Sequence, residues 1–225
     1  MRTLILCLGL SITATASALS LDALSNADAS AGLKKALDQG INQAVSSLGV
    51  TDGFLKNPRV RIPLPGKLEK AAGVLKMVGM GDQVDQLETA MNRAAESAVP
   101  ESKTLLKQAL SKMTLSDAKQ ILTGGDDSAT QYFKRATQNT LTERFKPIVA
   151  RATQKVRLAQ QYDAFAAKAQ QLGLVSAEES SMETYVTQKT LDGLYLMIAD
   201  EERAIRKDPL GQASSLIKKV FGAAR

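Results

Sequence analysis

Apolar side chains recur at three- and four-residue steps along most of the chain, which is the spacing of one face of an α-helix. The first stripe runs from Leu33 to Leu48 and is followed by Gly49, a residue type that commonly ends helices. Ser30 is the expected cap at the start of this helix. Alternation of apolar and polar residues, which is typical of strands, is rare along the chain, so the pattern predicts an all-α fold.

Residues that favour helix starts and stops divide the rest of the chain into further helices. In chain order these are predicted over about Lys67–Val78, from Asp82 after a break at residues 79–81, from Pro100, from the Thr114–Asp117 capping box, from residues 126–128, from the Ser176–Glu179 capping box, and over Leu216–Phe221. Pro147 is expected to kink or divide the longest of them, because its ring clashes with the preceding turn. The sequence thus predicts a single-domain bundle of roughly eight or nine helices.

One stretch, residues 50–65, lacks helical spacing. It holds three prolines in its second half, and these exclude both a helix interior and a central strand. Val60, Ile62 and Leu64 alternate there with arginine or proline. The segment is therefore predicted to be an edge strand or a proline-rich extended arm that lies across the helices.

The start of the chain has the layout of a secretory leader. Arg2 precedes a short apolar run, and Ala16-Ser17-Ala18 supplies the small residues of a cleavage site. We expect residues 1–18 to be a signal peptide removed after Ala18, and residues 19–225 to form one helical domain that is periplasmic or secreted. The apolar run of the leader is too short to span a bilayer, and no later segment approaches the ~20 apolar residues of a membrane span, so the mature chain is expected not to cross a membrane.

Removal of the leader would take away Cys7, the only cysteine of a chain that also lacks His and Trp. Without Cys and His the mature chain offers no disulfide, no thiolate or imidazole metal ligand, and no nucleophile activated by histidine. No cofactor and no metal are therefore expected. The formal net charge is +6, but the basic residues are interleaved with acidic ones along the chain. Aromatic residues make up only 4% of the sequence, so a nucleic-acid partner is not expected either.

Several short strings occur together along the mature chain. They are Asp52-Gly53-Phe54, Ile62-Pro63-Leu64-Pro65, Met91 to Glu96, Met113 to Gly124, Leu191 to Leu194, Glu201 to Arg206, and Val220-Phe221-Gly222. In this order they resemble the bacterial family catalogued as domain of unknown function 4197. The resemblance implies an exported, helical, single-domain bacterial protein. It implies no catalytic or binding residue, because the family has no assigned activity.

Asn92 and Glu96 lie four residues apart on the third predicted helix, at the edge of its apolar stripe. Such a pair is suited to bind a ligand hydroxyl, or a cation through oxygen. It is equally suited to hydrogen-bond the backbone of a neighbouring helix or of the proline-rich arm. The second interpretation is favoured, because most side-chain hydrogen bonds go to backbone or water.

The penultimate helix carries two adjacent acids close to its apolar face. Steps of three or four from Ile198 lead to Glu201 and Glu202, and Arg206 follows Glu202 by four residues. A carboxyl with a raised pKa in an apolar pocket can act as a general acid. A buried carboxylate paired with arginine instead fixes the packing of helices. The sequence favours such a pair, with Arg206, the adjacent Arg203 or Arg93 as the partner. Asn92, Glu96, Glu201, Glu202 and Arg206 are expected to converge in one closed polar cluster.

Three functions stay open. The first is a non-enzymatic envelope interaction or scaffold module with an unknown envelope protein as its partner. The second is a carrier or sensor of an apolar or lipid-like ligand held between helices, suggested by the scattered methionines and by Gly73 and Gly193. The third, least favoured, is a carboxylate-dependent hydrolase that uses Glu96 with Glu201 or Glu202. The sequence gives no oligomeric state.

Overall fold

The computed structural model describes residues 26–171 and 173–208, and every regular element within these ranges is helical. The helices are α1 (Asn26–Leu48), α2 (Gly66–Leu75), α3 (Gly81–Ala98), α4 (Ser102–Lys112), α5 (Leu115–Thr123), α6 (Ser128–Thr153), α7 (Arg157–Gln171) and α8 (Met182–Lys207). A π-helical turn, Lys76–Met80, joins α2 to α3, and a 3-10 turn, Val99–Glu101, joins α3 to α4. The all-α prediction is confirmed. The predicted leader and the predicted helix over residues 216–221 lie outside the described residues, so the helix count stays a prediction.

The centre of the fold is the packing of α6 against α8, with α3 beside α6 and α1 beside α8. On α6 the buried stripe advances in four-residue steps and includes Phe133, Leu141 and Phe145, all fully buried. On α8 the predicted stripe, which includes Leu191 and Leu194, is buried as well. Burying apolar side chains of this size contributes roughly 1.5–3 kcal/mol each, so this contact contributes strongly to the stability of the bundle.

Of the two alternatives expected at Pro147, a kink or a division of the helix, the division does not form. Pro147 lies inside α6, which runs on to Thr153, and the interruption before α7 comes at residues 154–156. Phe145 and Val149 are fully buried on either side of the proline. Continuous burial of this stripe therefore outweighs the hydrogen bond that proline cannot donate.

Two predicted caps are placed differently. Ser30 is buried inside α1, which already begins at Asn26. Asp82 lies in the first turn of α3, and Met80 holds the cap position without a side-chain hydrogen bond. For α3 the reason is Gly79, whose φ of +84° turns the chain so that the helix starts before Asp82.

The two predicted capping boxes have different outcomes. The Thr114–Asp117 box is confirmed at the start of α5, with both reciprocal hydrogen bonds present. At Ser176 the side chain accepts the N–H of Glu179, as the motif requires, but only a turn forms there. Helix α8 begins at Met182, because Ser181 supplies the capping oxygen instead.

Residues 49–65, here named the α1–α2 connection, consist of turns followed by a stretch without regular secondary structure. Its alternating residues Val60, Ile62 and Leu64 point into the core, with exposed fractions of 6%, 1% and 4%. The edge-strand alternative does not form, because the backbone of Ile62 bonds a side chain, that of Asn92, rather than another strand.

An aromatic contact helps to hold the α1–α2 connection against α8, together with the hydrogen bond from the Tyr185 hydroxyl to the Pro63 carbonyl and the ion pair of Arg59 with Asp200. Phe54 is fully buried and packs on Gly193 in the middle of α8. A Cβ atom at position 193 would lie 2.8 Å from Cε1 of Phe54 and 3.2 Å from Cβ of Val60. The glycine is therefore needed for close packing, and the space expected there for a ligand is filled by this ring.

We expect Gly193→Ala to lower the free energy of unfolding by about 1 kcal/mol, because about 1–3 kcal/mol of overpacking against Phe54 exceeds a gain of about 1 kcal/mol in helix propensity. Gly73→Ala on α2 is the matched control, since nothing lies within 4 Å of its added Cβ. That variant is expected to be stabilised by about 0.5–1 kcal/mol. Urea unfolding measures both, and a stabilised Gly193→Ala would contradict the packing described.

Candidate functional site

Asn92 of α3 pairs with the backbone of the α1–α2 connection. Its Oδ1 accepts the N–H of Ile62 at 2.8 Å, and its Nδ2 donates to the carbonyl of the same residue at 3.0 Å. Nδ2 also donates to the carbonyl of Glu88 within α3. One fully buried side chain therefore satisfies both polar groups of a buried peptide segment that has no strand partner.

Glu96, one helical turn further on, holds the start of the same connection. Its Oε1 accepts the N–H groups of Phe54 and Leu55, both at 3.1 Å. Its Oε2 accepts Nη1 of Arg93 at 2.6 Å. Because the carboxylate is only 5% exposed, these three bonds replace the water that it loses on folding.

Arg93 extends this group to the surface. Its Nη2 donates to Asp52 at 2.6 Å, so one guanidinium joins α3 to the turn that precedes Phe54. Hydrogen bonds from Lys56 and then from Arg93 lower the pKa of Asp52, and hydrogen bonds to Glu96 and Asp52 raise the pKa of Arg93. With Lys56, which pairs with Asp52 at 2.8 Å, two cations and two carboxylates form a chain of contacts across the connection whose charges balance.

Glu202 of α8 caps the first turn of α6. Its Oε1 accepts the N–H of Ala129 at 3.0 Å, and its Oε2 accepts the N–H and the hydroxyl of Thr130, both at 2.9 Å. Asp127, at the cap position of α6, makes no side-chain cap bond. The helix N-terminus, which favours negative charge, is therefore satisfied by a carboxylate from another helix.

The pairing expected for the buried acid of this helix is confirmed. Arg206 donates from Nη2 to Oε1 of Glu202 at 2.8 Å, and from the same nitrogen to the carbonyl of Ile121 at 2.8 Å. The side chain of Glu202 is 2% exposed and that of Arg206 13%. The pair joins α8 to the ends of both α5 and α6.

Glu201 points toward α1. A Cβ atom added at Gly40 would lie 3.3 Å from the Cβ of Glu201, so the two helices are in close contact here. Burial, and then the charge of Asp200, raise the pKa of Glu201. Of the two adjacent acids, only Glu202 has its carboxylate matched to helix N–H groups.

The five residues singled out from the sequence thus fall into separate settings. Asn92 and Glu96 serve the α1–α2 connection, Glu202 and Arg206 serve the ends of α5 and α6, and Glu201 faces α1. Most of the bonds described go to backbone groups of this chain. The arrangement stabilises packing, and a role of these residues in ligand binding stays a prediction.

Sequence reasoning missed one comparable acid, Asp163 of α7. Its Oδ1 accepts the N–H of Met182 at 2.6 Å, which ties α7 to the first residue of α8. Burial raises the pKa of this carboxyl, while the hydrogen bond from Met182 lowers it. No sequence signal marks Asp163, because its partner is set by the way the two helices meet.

An open apolar groove of about 290 Å³ lies between α2 and α7. Its apolar lining includes Leu68, Ala71, Leu75, Met80, Leu158 and Phe165. Lys67 and Gln161 also contribute to its lining. Phe165 remains 53% exposed, so the groove is partly covered by large side chains that still contact solvent.

The edge of the groove continues into three exposed apolar residues, here named the α2 lip: Val74, Met77 and Val78. Their exposed fractions are 58%, 81% and 66%. Neither α2 nor the π-helical turn after it contains a buried residue. An exposed apolar patch beside a groove is typical of an interaction surface.

Fold and site together define an all-α protein whose buried acids stabilise helix ends and loops, with an open apolar groove on its surface. The chain belongs to the family described as protein of unknown function (DUF4197), whose model matches residues 23–222. Comparisons with curated proteins and with solved structures found no match. Among the described residues, no helix is long and apolar enough to span a membrane, and no group of three or more acids is placed to hold a metal ion.

We expect Asn92→Ala to lower the free energy of unfolding by about 2–4 kcal/mol, because it leaves two buried backbone groups of Ile62 unpaired at about 1–3 kcal/mol each. Asn139→Ala, at an exposed position of α6, is the control and should change stability by no more than about 0.5 kcal/mol. Chemical denaturation of the three proteins checks this. Equal effects of the two substitutions would show that Asn92 does not support the connection.

The adjacent acids of α8 are expected to respond in opposite directions. Glu202→Ala should lower the free energy of unfolding by about 3–5 kcal/mol, since it strips a buried arginine and a helix end of their partner. Glu202→Gln, which keeps one acceptor oxygen, should cost less. Glu201→Gln should raise stability at neutral pH.

The sign for Glu201 follows from its raised pKa. The folded state binds the proton more tightly than the unfolded chain, so the contribution of this group falls as pH rises from the unfolded to the folded pKa. Glu201→Gln should therefore raise the free energy of unfolding at neutral pH. This gain should disappear in acid, where Glu201 of the parent is protonated in both the folded and the unfolded state. Unfolding curves at the two pH values measure the difference, and a gain that persists in acid would contradict the assignment.

Proposed function

We propose that this chain is an exported, non-enzymatic interaction protein of the bacterial envelope, which binds the apolar part of its partner in the α2–α7 groove. The observation that carries the proposal is the exposure of the α2 lip and of Phe165 around an open apolar groove, beside a bundle whose main stripes are buried. An exposed apolar surface of this kind promotes aggregation unless a partner covers it.

The bonding of the buried acids supports a non-enzymatic role. General acid–base catalysis needs a carboxyl within reach of a substrate in a cleft. The carboxylates of Glu96 and Glu202 accept backbone N–H groups and pair with arginines. The two acids bond different segments of the chain, which does not favour the paired arrangement of a glycoside hydrolase.

Export is part of the proposal and rests on the sequence. The apolar run after Arg2 and the Ala16-Ser17-Ala18 site support a leader that ends at Ala18. Residues 19–225 would then form the mature domain in the periplasm or outside the cell. Intact-mass measurement of protein expressed with its own leader tests this, and a mass that still includes residues 1–18 would overturn it.

The groove also supports a second candidate function, a carrier or sensor of a small apolar ligand. Its size and apolar lining suit part of a lipid-like molecule. The site would then be the surface groove rather than the interior, since Phe54 fills the space beside Gly193. The two candidates share the same residues and differ in what enters the groove.

The groove can be tested with the fluorescent apolar probe N-phenyl-1-naphthylamine, titrated into mature protein. Phe165→Ser should weaken probe binding about ten-fold, because part of the roughly 1.5–3 kcal/mol from burying an aromatic ring is lost. Leu115→Ser on α5 is the matched control, since Leu115 is also 53% exposed but lies outside the groove lining. The control should bind as the parent does.

The stability of both variants should stay within about 0.5 kcal/mol of the parent, because both positions are exposed. Equal probe binding by Phe165→Ser and Leu115→Ser, or no probe binding by the parent, would overturn the groove as the binding surface.

A further inference from the structure

We infer that the α2 lip and the α2–α7 groove dock onto an anionic phospholipid surface, with apolar tips in the acyl region and lysines at the lipid phosphates. The inference rests on the proposed function, because it names the partner of the same groove. Three features of the described residues carry it: the position of the apolar side chains, the placement of the lysines, and the charge that two copies of the chain would bring together.

The first feature is the shape of the apolar surface. Val74, Met77 and Val78 project where α2 ends and the chain turns at Gly79, whose φ is +84°. Phe165 lies in the lining of the adjoining groove and is itself more than half exposed. A projecting turn with exposed apolar residues can enter the interfacial region of a bilayer without any spanning helix.

The second feature is the position of Lys67 and Lys70 on α2. Both are exposed, and neither forms an ion pair among the residues that the structure describes. They precede Val74 by seven and four residues, which places all three on one face of the helix. Glu69, the acid of α2, is turned about 140° away from Val74 at 100° per residue. On α2 the apolar tip is therefore flanked by two lysines on its own face, while Asp82 and Asp85 lie beyond the turn at the start of α3, where Asp85 pairs with Lys76.

This arrangement matches the depth profile of an anionic leaflet. Lysine stems can lie along apolar surface while the ammonium groups stay at the level of the phosphates. The surface potential of an anionic membrane attracts such cations, and the attraction is screened by salt. The chain as a whole carries a formal charge of +6, so its long-range electrostatic interaction with an anionic surface is also attractive.

The third feature argues against a second copy of this chain as the occupant. A two-fold interface brings the same patch of both copies together. Lys67 and Lys70 of both copies would then enter one interface, and Glu69, the acid of α2, lies off that face of the helix. An anionic lipid surface neutralises the same lysines, so charge complementarity favours the membrane.

The test is co-sedimentation of the mature protein with vesicles of phosphatidylglycerol mixed with phosphatidylcholine, against vesicles of phosphatidylcholine alone. Binding is expected to the mixed vesicles, weaker to the neutral ones, and reduced at high salt. The double variant Met77→Ser with Val78→Ser should bind at least about ten-fold more weakly. Lys67→Gln with Lys70→Gln should lose roughly five-fold per lysine and show a smaller salt dependence.

Leu115→Ser with Lys119→Gln is the matched control, because this pair is an exposed leucine and an exposed lysine on α5. It should bind vesicles as the parent does. A second readout uses the absence of tryptophan from the chain. The emission of Met77→Trp should shift to the blue with mixed vesicles, whereas that of Leu115→Trp should not.

The outcomes separate the two proposals. Failure of the parent to bind mixed vesicles, an equal loss in the α5 control, or no shift for Met77→Trp overturns membrane docking. If N-phenyl-1-naphthylamine binding still depends on Phe165 in that case, the groove remains a binding surface for another apolar partner. If neither vesicles nor the probe bind, both the inference and the proposed function fall.

Discussion

The fold depends on long side chains of α3 and α8 that complete the hydrogen bonding of backbone far away in the sequence. A buried N–H without a partner costs about 1–3 kcal/mol, so each such group has to be paired. Glu96 and Asn92 accept hydrogen bonds from backbone N–H groups of the α1–α2 connection, and Glu202 accepts them from the first turn of α6. The three residues lie on helices that pack in the centre of the bundle, which is why the connection and the helix end can be buried at all.

Local signals in the sequence led to correct elements where the partner is nearby. The buried stripe of α8 and the Thr114–Asp117 capping box both follow from spacings of three or four residues. The pair of Glu202 with Arg206 was also accessible, because an acid and an arginine four residues apart on a helix can meet. The alternation of Val60, Ile62 and Leu64 is matched by their burial, although the edge strand that it left open does not form.

Other features depend on contacts that no local pattern encodes. The bonds from Glu202 to Ala129 and Thr130 span more than seventy residues, so the sequence indicated a buried acid but not what it caps. At Pro147 the local rule predicted a kink or a division, and α6 is not divided there because its buried stripe continues on both sides of the proline. The groove depends on how α2 meets α7, and only the partial exposure of their apolar residues reveals it.

The bonding of the α1–α2 connection has a consequence for the order of folding. The backbone of Ile62 can be paired only after Asn92, thirty positions later, has been placed. Phe54 likewise needs Glu96 for its backbone N–H and Gly193 of α8 for the packing of its ring. Contacts between distant positions form slowly because loop closure comes first. We therefore expect the connection to form late, with its apolar side chains accessible to chaperones and proteases until α3 and α8 have docked.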